Sequence, residues 1–278
     1  MYTVGLDADT RAYFTAATCA ISLIIILSVT TSPKFFPIKE KNYMFLDNQK
    51  NSKELIKWGK NKLSLNIQKG ILIKLRRNIL NYNLIQRSII IGIILSDGWI
   101  QKREGWNPRI GFKQSINNFE YFWDVFTQLS NLCSGYPWLT KNLKRGKLFF
   151  GIEFQTRQLK CFNEIYNIFY ENIKIKMIKS ELYDYLDYIV IAYWIMGDGA
   201  KRNKGITLCT DCFSFKEVVI LMNILKIKFD INSTMHLEKH RPRIYISNYE
   251  LSKILPHILP YFIKGSLYKL SLYCGVKH

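Results

Sequence analysis

One apolar stretch that ends in Asp-Gly occurs twice in this chain, and it constrains the fold more than any other feature. The copies occupy residues 90–98 and 191–199. Each is apolar on every side when wound as a helix, which in a globular chain predicts a helix buried all round rather than an amphipathic surface helix. Glycine readily adopts the left-handed conformation that closes a helix, so we expect the two helices to end at Gly98 and Gly199.

The repeat leaves one carboxylate at the end of each helix, Asp97 in the first copy and Asp198 in the second. The carboxyl end of a helix bears a partial negative charge that disfavours an aspartate by a few tenths to ~1 kcal/mol, and a bound divalent cation would offset that cost. The small residues Gly92 and Ala192 would let the helices pack closely and bring the carboxylates together. Carboxylate pairs that bind hard cations are typical of enzymes that cleave phosphodiesters.

A regular order of elements is predicted after the first copy. Residues 109–115 alternate between apolar and polar, which indicates a half-buried strand. A helix capped by Asn118 follows, then a hairpin that turns at residues 144–146 and a helix over residues 159–170. The strand residues predicted to face inward are Ile110, Phe112, Phe150, Ile152 and Phe154.

The second half repeats this order. A strand over residues 206–210 precedes a helix, and a hairpin around residues 239–242 follows with Ile244 and Ile246 facing inward. Two capping boxes mark the helix starts, because a serine and a glutamate three positions later can satisfy each other's backbone N–H groups. They pair Ser214 with Glu217 and Ser247 with Glu250. Each half is therefore predicted to be α-β-β-α-β-β-α.

Over about residues 80–270 this pattern resembles the LAGLIDADG homing endonucleases in their single-chain, two-motif form. The copies depart from the family motif, since Leu95 and Met196 occupy the place of its first acid. Tyr193 stands where the first copy has Gly92, which predicts a less symmetric helix contact. The resemblance implies an α+β fold of two pseudo-symmetric halves, each a saddle-shaped antiparallel sheet covered by helices.

The domain boundaries expected from this pattern divide the chain into four segments. The two halves occupy residues 80–179 and 180–278, and residues 19–79 form an apolar segment and a basic linker. Residues 1–18 resemble a segment of cytochrome c oxidase subunit one, and the likeness stops after Thr18. An intron reading frame that continues in frame from an upstream exon has this form, which favours expression from a mitochondrial intron and localisation in the matrix.

The formal net charge of +19 and the pI near 9.6 indicate a polyanionic partner. The basic residues are spread through the strand-like segments rather than along one amphipathic helix, which favours nucleic acid over a membrane surface. A four-stranded sheet with a basic outer face could place a two-stranded ribbon in the DNA major groove. The candidate DNA contacts are Lys102, Arg103, Arg109, Lys113, Lys144, Arg145, Lys147 and Gln155 in the first half, and Lys201, Arg202, Lys204, Thr207, Glu238, Arg241, Arg243 and Tyr245 in the second.

The resemblance also implies a reaction and the residues that perform it. The protein is expected to act as a monomer that cuts both strands of a long, asymmetric DNA site with Mg²⁺ or Mn²⁺. Asp97 and Asp198 would hold the metals, with Ser96 and Gly197 beside them as further candidate ligands. Lys176 and Lys269 match the family's lysines that polarise the attacking water or stabilise the charge on the phosphorane.

Three alternatives stay open at this point. An RNA maturase that helps its own intron to splice would use the same fold and basic surface without needing the aspartates. A membrane protein would rest on residues 12–33, which carry no charge, although several Thr and Ser interrupt the run. A zinc site at Cys209, Cys212, His236 and His240 has suitable ligand types, but its 23-residue gap exceeds the usual ~12–15.

Overall fold

The computed structural model describes residues 74–144, 146–170 and 175–270. The exon-like extension, the apolar segment of residues 12–33 and most of the basic linker therefore lie outside the described residues, as do Arg145 and the side chain of Lys144. Within the described ranges no helix is long and apolar enough to cross a membrane.

Both halves have the predicted order of elements, preceded by a short helix α1 (Lys74–Ile79). The first half consists of α2 (Leu84–Leu95), β1 (Gly98–Gln101), β2 (Arg109–Ser115), α3 (Phe119–Leu129), β3 (Trp138–Lys144), β4 (Lys147–Gln155) and α4 (Phe162–Phe169). After the single turn α5 (Leu182–Tyr185), the second half consists of α6 (Tyr188–Asp198), β5 (Gly199–Arg202), β6 (Gly205–Leu208), α7 (Phe215–Phe229), β7 (Ser233–Glu238), β8 (Arg241–Ser247) and α8 (Asn248–Ile258).

The strands form two four-stranded antiparallel sheets with equivalent orders, β1-β2-β4-β3 and β5-β6-β8-β7. Apolar pairs face each other across neighbouring strands, Phe112 opposite Phe154 and Ile206 opposite Ile246, and all four side chains are buried. Helices cover this side of each sheet, and α2 and α6 pack against each other between the halves. The α+β architecture with two pseudo-symmetric halves is confirmed.

Phe150 departs from its predicted place in the core. It shares the inward face of β4 with Ile152 and Phe154, which are fully buried, but it is itself partly exposed. The β3–β4 hairpin extends beyond the helices that cover the sheet, so Leu148 on the same face is 52% exposed. The aliphatic chain of Lys141 brings its Nζ over the Phe150 ring, 5.9 Å from the centroid.

Two predicted helix caps differ in detail from the sequence pattern. Helix α3 begins after Asn118 as expected, but the Asn118 side chain makes no capping bond and its Nδ2 donates to Gln114 Oε1 instead. Ser247 caps α8, whereas the carboxylate of Glu250 accepts hydrogen bonds from Asn232 rather than from the Ser247 backbone. The Ser214–Glu217 capping box is confirmed.

Gly98 and Gly199 do not adopt the left-handed conformation, which corrects the prediction made for them. Gly98 does not have a positive φ, and Gly199 has φ −71° and ψ 128°. Gly199 begins β5 directly after α6, whereas Ser96 and Asp97 separate α2 from Gly98 at the start of β1. Glycine is required there for space. A Cβ on Gly98 would lie 2.8 Å from the carbonyl oxygen of Ile93, and one on Gly199 would lie 2.4 Å from that of Ile195.

Candidate active site and nucleic-acid interface

The contact between α2 and α6 depends on two glycines that come from opposite copies of the repeat. A Cβ on Gly92 would lie 2.7 Å from the Cβ of Tyr193, which is the equivalent residue of the second copy. One turn later the roles are exchanged, since a Cβ on Gly197 would lie 2.6 Å from the Cβ of Ser96. The helices therefore approach closely at both points, and the asymmetry predicted from Tyr193 is compensated by the Ser96–Gly197 pair.

A buried tyrosine pair holds this contact to the rest of the first half. Tyr121 of α3 donates its hydroxyl to the backbone oxygen of Tyr193 at 2.8 Å, and the Tyr193 hydroxyl donates to Asp124 Oδ2 at 2.6 Å. Burial raises the pKa of the Tyr121 hydroxyl well above its ordinary value, with the charge of Asp97 adding to the rise. Tyr121 therefore stays a neutral hydrogen-bond donor beside the helix ends.

The close helix contact places the two aspartates within each other's electric field. Asp97 is exposed and follows α2, whereas Asp198 is half-buried and ends α6. The pKa of Asp198 is raised to about 7, first by burial and then by the charge of Asp97, while Lys176 and Lys269 act in the opposite direction. The second carboxylate is therefore held in a place where its charge is costly without a compensating cation.

Gln114 of β2 orients the first aspartate, and the sequence pattern did not single it out. Its side chain is buried, and its Nε2 donates to Asp97 Oδ2 at 2.6 Å. Asn118 Nδ2 in turn donates to Gln114 Oε1 at 3.2 Å, which fixes the direction in which the amide points. By strand register the equivalent position in the second half is Thr210, whose hydroxyl donates to the Pro242 carbonyl instead.

Each candidate lysine binds the carboxyl end of the motif helix of its own half. Lys176 Nζ donates to Ile94 O at 2.5 Å and to Ser96 O at 3.4 Å. Lys269 Nζ donates to Met196 O at 2.5 Å and to Gly197 O at 2.9 Å. Burial lowers the pKa of both ammonium groups, while the two aspartates oppose that shift. Each lysine satisfies free helix-end carbonyls and adds positive charge beside the carboxylates.

The donor set at these helix ends fits a hard divalent cation whose remaining ligands come from elsewhere. No group of three or more His, Cys, Asp and Glu side chains within the described ranges converges on one point. Mg²⁺ is usually held by one or two carboxylates together with waters and phosphate oxygens. Asp97 and Asp198 supply the carboxylates, whereas the carbonyls of Ser96 and Gly197 already accept bonds from Lys176 and Lys269.

The outer face of the first sheet carries more basic side chains than acids, and Glu153 of β4 lies opposite Lys113. Register and alternation place Arg109 and Lys113 of β2 on this face, with Lys147 and Gln155 of β4 beside them. Arg109 donates through Nε and Nη2 to Gln101 Oε1, at 2.9 and 2.6 Å. Lys102 and Arg103 are exposed in the loop between β1 and β2. This face therefore combines an excess of positive charge with amide groups, and Gln155 Nε2 donates to Glu153.

The outer face of the second sheet carries a network of paired charges instead. Arg243 makes a two-point bond to Asp211, at 2.7 and 2.8 Å, and its third nitrogen donates to Glu238 at 2.6 Å. Arg202 donates to the same Glu238 oxygen at 3.0 Å and to the Thr207 hydroxyl at 3.2 Å. The hydrogen bonds to Asp211 raise the pKa of Arg243 above its ordinary value. All hydrogen-bonding nitrogens of Arg243 are thus engaged within the protein.

The remaining candidates of the second half differ in position. Arg241 and Tyr245 share the outer face with Arg243, and Lys204 is exposed in the loop between β5 and β6. Lys201 is exposed, but it pairs with Ile206 and so lies on the opposite side of β5 from Arg202. Neighbouring strand residues point to opposite faces, and the sequence proposal that included both overlooked this alternation.

Comparison with known proteins identifies the family. The model of the LAGLIDADG DNA endonuclease family matches residues 87–254, which include both copies of the repeat and both sheets. The chain belongs to this family. The two copies of the LAGLIDADG motif are the segments that form α2 and α6.

The LAGLIDADG relatives include proteins named for two activities. The chain is 35% identical to the cytochrome b mRNA maturase bI2 of Saccharomyces cerevisiae, over 77% of this chain and 54% of that protein. It thus spans about half the length of that relative. It is 32% identical to a probable intron-encoded endonuclease 1 of Wickerhamomyces canadensis, over 67% of this chain and 84% of that protein.

A solved LAGLIDADG structure matches the fold. The homing endonuclease I-WcaI bound to its DNA recognition sequence superimposes with a TM-score of 0.67 at 29% identity, over 75% of this chain and 98% of that chain. A match over 75% of this chain is longer than either half alone, which agrees with the single-chain, two-motif organisation.

Proposed function

We propose that this LAGLIDADG protein is a site-specific endonuclease that cuts both strands of a long, asymmetric DNA site with a divalent metal ion. The observation that carries the proposal is the pair of aspartates, which is held at two adjoining helix ends and flanked by the half-buried Lys176 and the buried Lys269. A structural polar stop at a helix end would need neither the second carboxylate nor the lysines. The formal net charge of +19 and the basic outer face of the first sheet support a duplex DNA partner.

Asp97 and Asp198 would hold Mg²⁺ or Mn²⁺. The backbone oxygens of Ser96 and Gly197, which also accept bonds from Lys176 and Lys269, are the further candidate ligands. When bound, the cations supply Lewis-acid stabilisation of the attacking and leaving oxygens of the phosphodiester. Gln114 keeps the Asp97 carboxylate in one orientation. Lys176 and Lys269 remain anchored to helix carbonyls while their charge lies beside the aspartates, so they can stabilise negative charge that develops on the phosphate.

The test is cleavage of the intronless exon junction, the sequence into which the intron would insert. Asp97→Asn and Asp198→Asn should each abolish or greatly slow double-strand cleavage, because a neutral amide is a poor ligand for a hard cation. Both variants should still bind the duplex in metal-free buffer. Asp184→Asn, which changes an exposed carboxylate in α5, serves as the matched control and should cut normally. A parent protein that cuts no exon-junction duplex contradicts the proposal.

The second candidate is an intron RNA maturase, and the similarity to the cytochrome b mRNA maturase bI2 favours it. A maturase would use the basic surface to bind its own intron RNA and would tolerate loss of the aspartates. Splicing of that intron should then proceed equally well with the parent and with both Asp→Asn variants. Equal splicing together with no DNA cleavage by the parent would replace the endonuclease proposal.

The remaining features of the proposal concern organisation and location. We place the halves at residues 80–179 and 180–278, and we expect a monomer because one chain supplies both aspartates and both sheets. The relatives named as intron-encoded proteins support expression from an intron, and the cytochrome b gene named for one of them supports the mitochondrial matrix as the location. Sedimentation of the purified chain on and off DNA tests the monomer.

A further inference from the structure

Trp99 occupies a special place on the outer face of the first sheet. It follows Asp97 by two positions, so it is the first side chain after the aspartate to point outward. Its ring lies across Gly111 of the neighbouring strand. A Cβ on Gly111 would lie 2.3 Å from Trp99 Cε2 and 2.7 Å from Trp99 Nε1. Glycine at this position therefore makes room for the indole, which is held flat against the sheet and half-buried.

The second sheet has no aromatic ring at the position equivalent to Trp99. Ala200 takes the place of Trp99 there, and Thr207 takes the place of Gly111. The Thr207 side chain is covered by Arg202, whose Nε donates to its hydroxyl at 3.2 Å. The two halves thus present different chemistry beside their aspartates, an apolar ring in the first half and a guanidinium held in a charge network in the second.

We propose that Trp99 determines sequence specificity at the base pairs next to the cut in the first half-site, by apolar contact with a thymine methyl group. This inference rests on the proposed DNA endonuclease function. An indole cannot neutralise a phosphate, and a ring held flat on the sheet offers an apolar surface rather than a fork of donors. In the major groove the apolar feature that distinguishes the bases is the C5-methyl group of thymine. Because Gly111 already fixes the ring, little side-chain entropy is lost on binding.

The location of Trp99 limits the base pairs that it can reach. The side chain is two residues from Asp97, whereas Arg109 and Gln101 on the same face lie at the far end of the β1–β2 pair. Trp99 should therefore affect one or two adjacent base pairs on one side of the cleavage centre. Arg109, Gln101 and residues of the neighbouring strand β4 would contact the base pairs farther from the cut.

The experiment measures the affinity of the full chain for its exon-junction duplex and for every single base-pair substitution of it, in metal-free buffer. The parent is compared with Trp99→Ala, with Trp99→Phe, and with Trp106→Ala as a control that removes a 58% exposed tryptophan from the β1–β2 loop. Thermal melts of all variants are recorded alongside. Deoxyuridine then replaces each thymine next to the cut, which removes the methyl group alone.

Trp99→Ala should lose a preference of at least about fivefold at one or two adjacent base pairs and keep the preferences elsewhere. Trp99→Phe, which retains an aromatic ring, should keep most of that preference even if Trp99→Ala folds poorly. Deoxyuridine at the same position should weaken the parent and leave Trp99→Ala unaffected. An unchanged preference profile, a uniform loss at all positions, or no effect of deoxyuridine would overturn the assignment. A parent with no sequence preference would overturn the endonuclease proposal as well.

Discussion

Gln114 Nε2 donates a hydrogen bond to Asp97 Oδ2 at 2.6 Å, whereas the equivalent residue Thr210 turns its hydroxyl to the Pro242 carbonyl. The two aspartates are therefore supported differently, Asp97 by a hydrogen bond from a buried amide and Asp198 by the charges of the nearby lysines. If each aspartate serves one DNA strand, the two cuts should depend on different residues.

Gln114→Ala should slow the cut that depends on Asp97 by about tenfold or more, because a misdirected ligand disturbs the reacting geometry. The other strand should be cut at nearly the parental rate, so nicked DNA should accumulate. Strand-specific end labels in single-turnover reactions measure this. Gln128→Ala, which changes an exposed glutamine of α3, is the matched control and should leave no nicked intermediate. Equal slowing of both strands would contradict the asymmetric support.

The raised pKa of Asp198 predicts a pH-dependent stability difference. Folded Asp198 holds its proton up to pH about 7, compared with 3.8 ordinarily, so its contribution to stability is present at low pH and lost as the pH rises through about 7. Asp198→Asn lacks this loss. In metal-free buffer the variant should match the parent near pH 4 and exceed it by about 1–3 kcal/mol above pH 8. Thermal melts at several pH values measure the difference.

The same measurement in the presence of Mg²⁺ provides the control. A cation that binds the two deprotonated carboxylates stabilises the folded parent, so Mg²⁺ should raise its melting temperature more at pH 8 than at pH 5.5. Asp198→Asn should respond weakly at both pH values. A difference between variant and parent that stays constant with pH would show that Asp198 is not held in the protonated form.

We expect the two sheets to contribute unequally to the salt dependence of DNA binding. Replacing Lys113 with Gln should reduce the slope of log K against log[salt] by about 1, as expected when one phosphate contact is lost. Arg243→Gln should change the slope by less, because Asp211 and Glu238 already pair with its charge. Lys216→Gln on the exposed side of α7 is the control and should leave the slope unchanged. A larger change for Arg243 than for Lys113 would refute this division.

Two phenylalanines on one strand should differ in their effect on stability. Phe154→Ala should lower the free energy of unfolding by about 3–5 kcal/mol, because its ring is fully buried among Phe112, Phe122 and Phe126. Phe150→Ala should cost clearly less, since its ring is partly exposed at the hairpin. Urea unfolding of both variants provides the comparison. Equal losses would contradict the partial exposure of Phe150.

The order of elements could be predicted because it depends on local chemistry. Alternation set the inward face of β2, and a serine with a glutamate three positions later located the start of α7. The pairing of the motif helices followed from the repeat, since two helices apolar all round must bury each other. The burial of Phe150 could not be predicted, because it depends on where the covering helices end relative to a hairpin.

The candidate active site could be predicted where the motif or the family resemblance marks it. Asp97 and Asp198 lie inside the repeat. Gln114 lies on β2, and the alternation of apolar and polar residues that predicts this strand does not distinguish Gln114 from its neighbours. A glutamine at an inward-facing position was the available signal, since a buried amide requires partners. The pairing of Arg243 with Asp211 depends on a loop that approaches the sheet from elsewhere in the chain. No local pattern contains that contact.

The reciprocal glycines of the α2–α6 contact make the two halves non-interchangeable. A homodimer of first halves would set Ser96 against Ser96, where the structure already shows that one added Cβ comes within 2.6 Å of the other. A homodimer of second halves would bring two Tyr193 side chains together at a point where the present pair fits only because Gly92 lacks a Cβ. Neither half can therefore form this helix contact with a second copy of itself. The two different halves are both needed, and a substitution at one of these positions in one half requires a matching substitution in the other.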